Sequence, residues 1–115
     1  MDEIQTLTER IVTFRDNRDW KQFHNFKDMA ISLELEASEV LEHFQWKSLQ
    51  EMENLDDGAR QAIGAELADV LYWVLLLSHD LGIDVKAAFG QKMQGNEEKY
   101  PVDKAKGSHK KYTEL

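Results

Sequence analysis

The sequence predicts an all-α fold, a four-helix bundle, and three observations carry that reading. The single proline, Pro101, comes late, so the chain before it lacks the strongest helix breaker. Apolar residues recur at three- and four-residue spacings instead of alternating. Two segments also share one pattern: Leu33-Glu34-Leu35-Glu36-Ala37-Ser38-Glu39-Val40-Leu41 lies without a gap over Ile63-Gly64-Ala65-Glu66-Leu67-Ala68-Asp69-Val70-Leu71. Each offers carboxylate-x-x-carboxylate followed at once by Val-Leu.

The first helix is expected from Asp2 to about Arg15, on a stripe of Ile4, Leu7, Ile11 and Phe14. Asp16-Asn17-Arg18-Asp19 interrupts it with residues that favour caps and turns. Trp20-Lys21-Gln22-Phe23-His24 is too short and irregular for a core helix and reads as a loop with large side chains to place. Asn25 can cap a second helix running to about Phe44 on Met29, Leu33, Ala37, Val40, Leu41 and Phe44. Residues 45 to 59 read as a loop with a helical turn. The third helix, on Ile63, Leu67, Val70, Val74 and Leu77, is expected to stop near Leu81 with Gly82 as the left-handed residue. Asp84 can cap a fourth helix carrying Val85, Ala88, Phe89 and Met93, which should fade at Gly95-Asn96. Residues 1–100 then form one helical domain, and 101–115 a polar, lysine-rich, loosely held tail.

Fourteen basic against twenty-two acidic residues give a net charge of -8, which disfavours nucleic acid and anionic membrane as partners. With no cysteine there is neither a disulfide framework nor a thiolate metal site. The N-terminus carries no signal-like pattern, and no run approaches the ~18 apolar residues of a membrane span. These features read as a soluble, cytoplasmic protein.

On a helical wheel Glu36 falls at the edge of its apolar arc and Glu39 one step further round, and Glu66 and Asp69 take the same two positions on theirs. A surface acid is ordinarily just solvated, often beside a Lys or Arg one turn away. Here no basic residue stands three or four positions from Glu36 or Glu66, and each pair adds like-charge repulsion at the border of a core stripe. That arrangement makes sense if the two helices face each other across a cation. Four oxygen ligands without Cys or His suit a hard ion, Mg2+ or Mn2+ rather than zinc. Such an ion completes its shell with substrate phosphates and lets an acidic protein bind a polyphosphate.

Those four acids, together with Arg18-Asp19-Trp20-x-Gln22-Phe23-His24, Phe44-Gln45-Trp46-Lys47 and Lys92-x-x-x-Asn96-x-x-Lys99-Tyr100-Pro101, resemble the MazG-like all-α nucleotide pyrophosphohydrolases over about residues 4 to 102. The resemblance is nearest to their short dCTP pyrophosphatase branch. It implies Mg2+-dependent hydrolysis of a (deoxy)nucleoside triphosphate, dCTP or a related or modified nucleotide, to the monophosphate and pyrophosphate. It also implies a homo-oligomer, a dimer or tetramer. Residue by residue it puts Glu36, Glu39, Glu66 and Asp69 on the metal, and Trp20 and Trp46 against the base. Trp73 walls the base pocket or packs in a core or interface, and His24 can donate to substrate. Lys92, Asn96 and Lys99, at i, i+4 and i+7, contact phosphate with Tyr100 beside them. Near Ile11, relatives place a polar substrate-facing residue where this chain has isoleucine. Two rival readings remain: a non-catalytic helical interaction module with solvated acids, and the same site acting on dUTP, dATP or phosphoribosyl-ATP.

Overall fold

Short polar side chains set where the helices begin. In the computed structural model, which describes residues 1–115, Asp2 caps α1 (Glu3–Asn17), Asn25 caps α2 (Phe26–Glu42) and Ser48 caps α3 (Leu49–Glu53). Asp56 caps α4 (Asp57–Asp80) and Asp84 caps α5 (Val85–Lys99), each accepting from the backbone N–H three residues on. Each cap satisfies an N–H that the helix itself cannot, worth about 1 kcal/mol. Asp2 and Ser48 complete capping boxes with Gln5 and Glu51. A short α6 (Val102–Ala105) and two 3-10 turns, Lys21–Phe23 and Tyr112–Glu114, make up the rest, and there is no strand. The all-α expectation is met.

The boundaries that differ have local causes. The helical turn expected between 45 and 59 is α3, set by the capping box of Ser48 and Glu51, and α4 already begins at Asp57. α2 stops at Glu42, and His43, Phe44 and Lys47 bond three residues back in tighter turns. α5 does not fade at Gly95. The helix continues to Lys99 and ends at Tyr100 (φ -123°, ψ 65°), which Pro101 forces out of the helical region. Gly82 has φ 68° and ends α4 as expected.

The chain divides into two compact units, Met1–Gly82 and Ile83–Leu115. In the first, α4 packs against α2 and α1. Met29, Leu75 and Leu76 are fully buried, and with them Arg15. α4 is the one helix long and apolar enough to cross a membrane by length and composition, which the consecutive-residue reading missed. It carries Glu66 and Asp69 near its middle, costly in hydrocarbon, and it is packed on two neighbours. The second unit holds α5, α6 and the last turn, where Tyr100 meets Tyr112 edge-to-face at 6.1 Å and the Lys99 Nζ sits 4.8 Å from the Tyr112 ring centroid. Residues 101–115 thus include a short helix and one partner of an aromatic contact.

Candidate metal centre and adjoining cavity

Packing α2 on α4 turns the two repeated motifs toward each other. Glu36 and Glu39 from α2 and Glu66 and Asp69 from α4 each offer a carboxylate oxygen, and these atoms all lie within 4.8 Å of one another. Glu36 and Glu66 are half-buried, Glu39 and Asp69 exposed, which is the edge-then-outside order read from the helical wheel. No lysine or arginine forms an ion pair with any of them; the nearest cationic candidate is His43, whose Nε2 is 3.7 Å from Glu66 Oε1.

Four acids at that spacing cannot all remain ionised without a compensating charge. Burial, followed by a shared hydrogen bond with Glu39 and the charges of Glu39, Asp69 and Glu66, pushes the Glu36 carboxyl up to about 7. Glu66 is also raised, first through its hydrogen bond with Glu39 and then by burial, while His43 pulls it back. Glu36 Oε2 is buried with no hydrogen-bond partner. An orphaned carboxylate oxygen inside an all-oxygen set is what a hard divalent cation would satisfy. The donor set therefore fits such an ion.

Asp69 also borders a cavity of about 440 Å³ whose other walls are Arg10, Ile11 and Phe14 of α1, Trp20, and Tyr72 and Trp73 of α4. The turn after α1 builds the Trp20 wall. Arg15 O accepts from both Arg18 N and Trp20 N, and Asp19 takes a left-handed φ of 55°, with Gln22 Nε2 donating to its carbonyl and carboxylate. That reversal brings the Trp20 ring edge-on to Phe14 at 5.6 Å, and Phe14 in turn meets Tyr72 at 6.3 Å. Burial raises the Tyr72 hydroxyl above its ordinary value, so it stays protonated as a donor.

Of the other expected site residues, His24 and Trp46 belong to the first unit and Lys92, Asn96, Lys99 and Tyr100 to the second. His24 is not a cavity wall; its ring meets Trp73 edge-on at 5.4 Å and its Nδ1 lies 3.5 Å from Arg15 Nη1. Burial and the Arg15 charge lower its pKa, so it is a neutral support behind Trp73. Trp46 stands 86% exposed in the turn after α2, outside the cavity. Lys92, Asn96, Lys99 and Tyr100 belong to the second unit: α5 extends far enough to put the first three on one face, with both lysines exposed. Arg10, Phe14 and Tyr72 were missed as cavity residues. Phe14 was read as part of the core stripe, and only its position next to the Asp16–Asp19 turn hints that its ring would face outward.

The MazG-like family profile matches residues 31–115. The chain belongs to the MazG-like family. This MazG-like chain is 38% identical over 104 residues to dCTP pyrophosphatase 1 of Rattus norvegicus and 36% identical over 104 residues to dCTP pyrophosphatase 1 of Homo sapiens. Both alignments cover 89% of the chain, which spans 61% of the length of these curated relatives. Among solved structures, a pyrophosphatase from Archaeoglobus fulgidus superposes with a TM-score of 0.80 at 34% identity, covering 88% of the MazG-like chain and 94% of that protein.

Proposed function

We propose that the protein is a nucleoside triphosphate pyrophosphohydrolase, cleaving dCTP or a related or modified deoxynucleoside triphosphate to the monophosphate and pyrophosphate. One observation carries this reading: four carboxylates converge beside an aromatic-walled cavity, and Asp69 belongs to both. The likeness to dCTP pyrophosphatase 1 and to the Archaeoglobus fulgidus pyrophosphatase supports the same reaction class.

Glu36, Glu39, Glu66 and Asp69 would hold Mg2+, with Mn2+ as a substitute. When bound, the ion supplies the positive charge a polyphosphate needs and acidifies the attacking water. Binding it would displace the proton that Glu36 holds and leave all four acids available as ligands. Trp20, from the turn after α1, and Trp73, from α4, would stack on the base, with His24 bracing Trp73. Trp46 is assigned to the base as well, on the resemblance alone. Lys92, Asn96, Lys99 and Tyr100 are assigned to the phosphates; the shared face on α5 supports the first three.

We also propose a cytoplasmic homo-oligomer, a dimer or tetramer. Leu35 and Leu41 of α2 and Leu67 and Leu71 of α4 are exposed beside a small buried core, apolar side chains that a second copy would cover. Light scattering on the purified protein should give a multiple of 13.4 kDa.

The activity is tested by incubating the protein with Mg2+ and each canonical and several modified nucleoside triphosphates, then identifying products. Monophosphate and pyrophosphate are expected. Release of orthophosphate, or no turnover on any substrate, overturns the proposal and leaves the interaction-module reading.

A further inference from the structure

The cavity beside Asp69 has a cationic side chain, Arg10, in its wall that neither the metal chemistry nor the stacking explains. Arg10 lies on α1, which also lends Ile11 and Phe14 to the cavity wall. No hydrogen bond, ion pair or ring contact engages its guanidinium, and the residues one turn away, Thr6, Leu7, Thr13 and Phe14, include no acid. By contrast Arg15 is locked onto Asp80 and Arg18 over the Phe14 ring. An arginine left without a protein partner at the wall of an otherwise largely apolar cavity has its donors available to whatever fills it.

We infer that Arg10 is a specificity-determining residue that selects nucleobases presenting two adjacent hydrogen-bond acceptors. This rests on the proposed pyrophosphohydrolase reading. α1 contributes none of the four acids, so the phosphates are drawn to the α2–α4 side at Asp69 and the base is left to the side that α1 walls. There the aromatic faces hold any base, because every base has a π-face. Discrimination then falls to the polar groups at the ring edge. The guanidinium fork donates two parallel N–H bonds and accepts none. Guanine matches it with N7 and O6, and cytosine with O2 and N3. Adenine N1 and N7 each stand beside the N6 amino donor and C2–H separates N1 from N3, while thymine has N3–H between its two carbonyls, so neither offers an adjacent acceptor pair. Ile11 supplies no competing polar contact.

The test compares kcat/KM for dCTP, dGTP, dATP and dTTP with Mg2+ in the wild-type protein, Arg10→Ala and Arg10→Lys. The lysine keeps the charge and loses the fork. The expected result is a wild-type preference for dCTP or dGTP over the other two, lost selectively in both variants by roughly 5- to 100-fold on the preferred base. A loss of equal size on all four substrates identifies a phosphate contact and overturns the inference. So does an unchanged base profile, a lysine variant that keeps the wild-type preference, or a wild-type preference for dATP or dTTP. Absence of turnover by the wild-type protein on all four with Mg2+, and on the wider nucleotide panel, overturns the underlying reading and this inference with it. Because Arg10 is exposed, both variants should unfold at the wild-type temperature.

Discussion

Arg15 donates two hydrogen bonds to the Asp80 carboxylate, at 2.7 and 2.9 Å, and so ties the end of α1 to the end of α4. The arginine is 1% exposed, and the same Nη1 lies 3.5 Å from His24, which braces Trp73. One buried pair therefore fixes the two helices that wall the cavity. Removing one partner leaves the other charge buried, at a cost of roughly 3 to 5 kcal/mol. Asp80→Ala should lower unfolding stability by that order in denaturant titration. Replacing both residues by leucine should cost clearly less than the two single changes added together. Additive losses would mean the pair is not acting as a unit.

The same pair has a pH signature. The hydrogen bonds from Arg15 are the largest influence on Asp80 and hold its carboxyl below the ordinary 3.8. A depressed folded-state value means the contribution is complete above about pH 4 and is lost as pH falls through the lower folded value. Asp80→Asn should therefore unfold with a shallower acid dependence than the wild type below pH ~4, measured by circular dichroism. Parallel acid curves would count against the assignment.

Much of this was legible in the chain, and the exceptions are informative. The acid repeat could be read because a helix has a fixed angular period, so two motifs in register on two stripes must meet if the stripes pack. The caps at Asn25 and Asp84 were legible for the same local reason. A helical turn between 45 and 59 was legible but the bounds of α3 were not, because they are set by a two-residue reciprocal contact hidden in an acidic run. The Arg15–Asp80 pair joins positions 65 apart in sequence, and no periodicity announces such a contact. Phe14 belongs to the stripe by spacing, yet its ring turns to the cavity because the Asp19 reversal sets Trp20 against it.

Trp20 and Trp73 face the cavity from different elements, which makes stacking separable from chemistry. Alanine at either should weaken nucleotide binding by about 1 to 3 kcal/mol, or roughly 5- to 150-fold in KM. The turnover number at saturating substrate should fall far less. A fall in kcat with KM unchanged would remove these rings from the base and leave them as packing.

Glu39 and Asp69 are the exposed members of the two acid pairs, so replacing them should leave the fold intact. Glu39→Ala and Asp69→Ala should each lower turnover by more than about 100-fold, beyond the range for residues that merely support a ligand. Isothermal titration with Mn2+ should show weakened binding in the same proteins. Variants that keep activity but lose stability would make these acids structural.

Glu36 gives the metal-free protein a pH dependence opposite in sign to that of Asp80. Its folded-state value of about 7, raised chiefly by burial and then by Glu39, stands above the ordinary 4.5. Between those values the folded state holds a proton that the unfolded state has released, so stability falls as pH rises from about 5 to 7 and stays reduced above. In chelator, the unfolding temperature should therefore climb as pH is lowered from 8 to 5.5. Glu36→Gln, which carries no charge at any pH, should be more stable than the wild type at pH 8 and show a flatter profile. Mg2+ should reverse the trend in the wild type, since it binds the deprotonated acids and loses affinity as Glu36 takes up its proton. A chelated wild type whose unfolding temperature tracks that of Glu36→Gln across this range would show that burial does not strain this carboxyl. The repeat would then be four solvated acids that happen to lie close together.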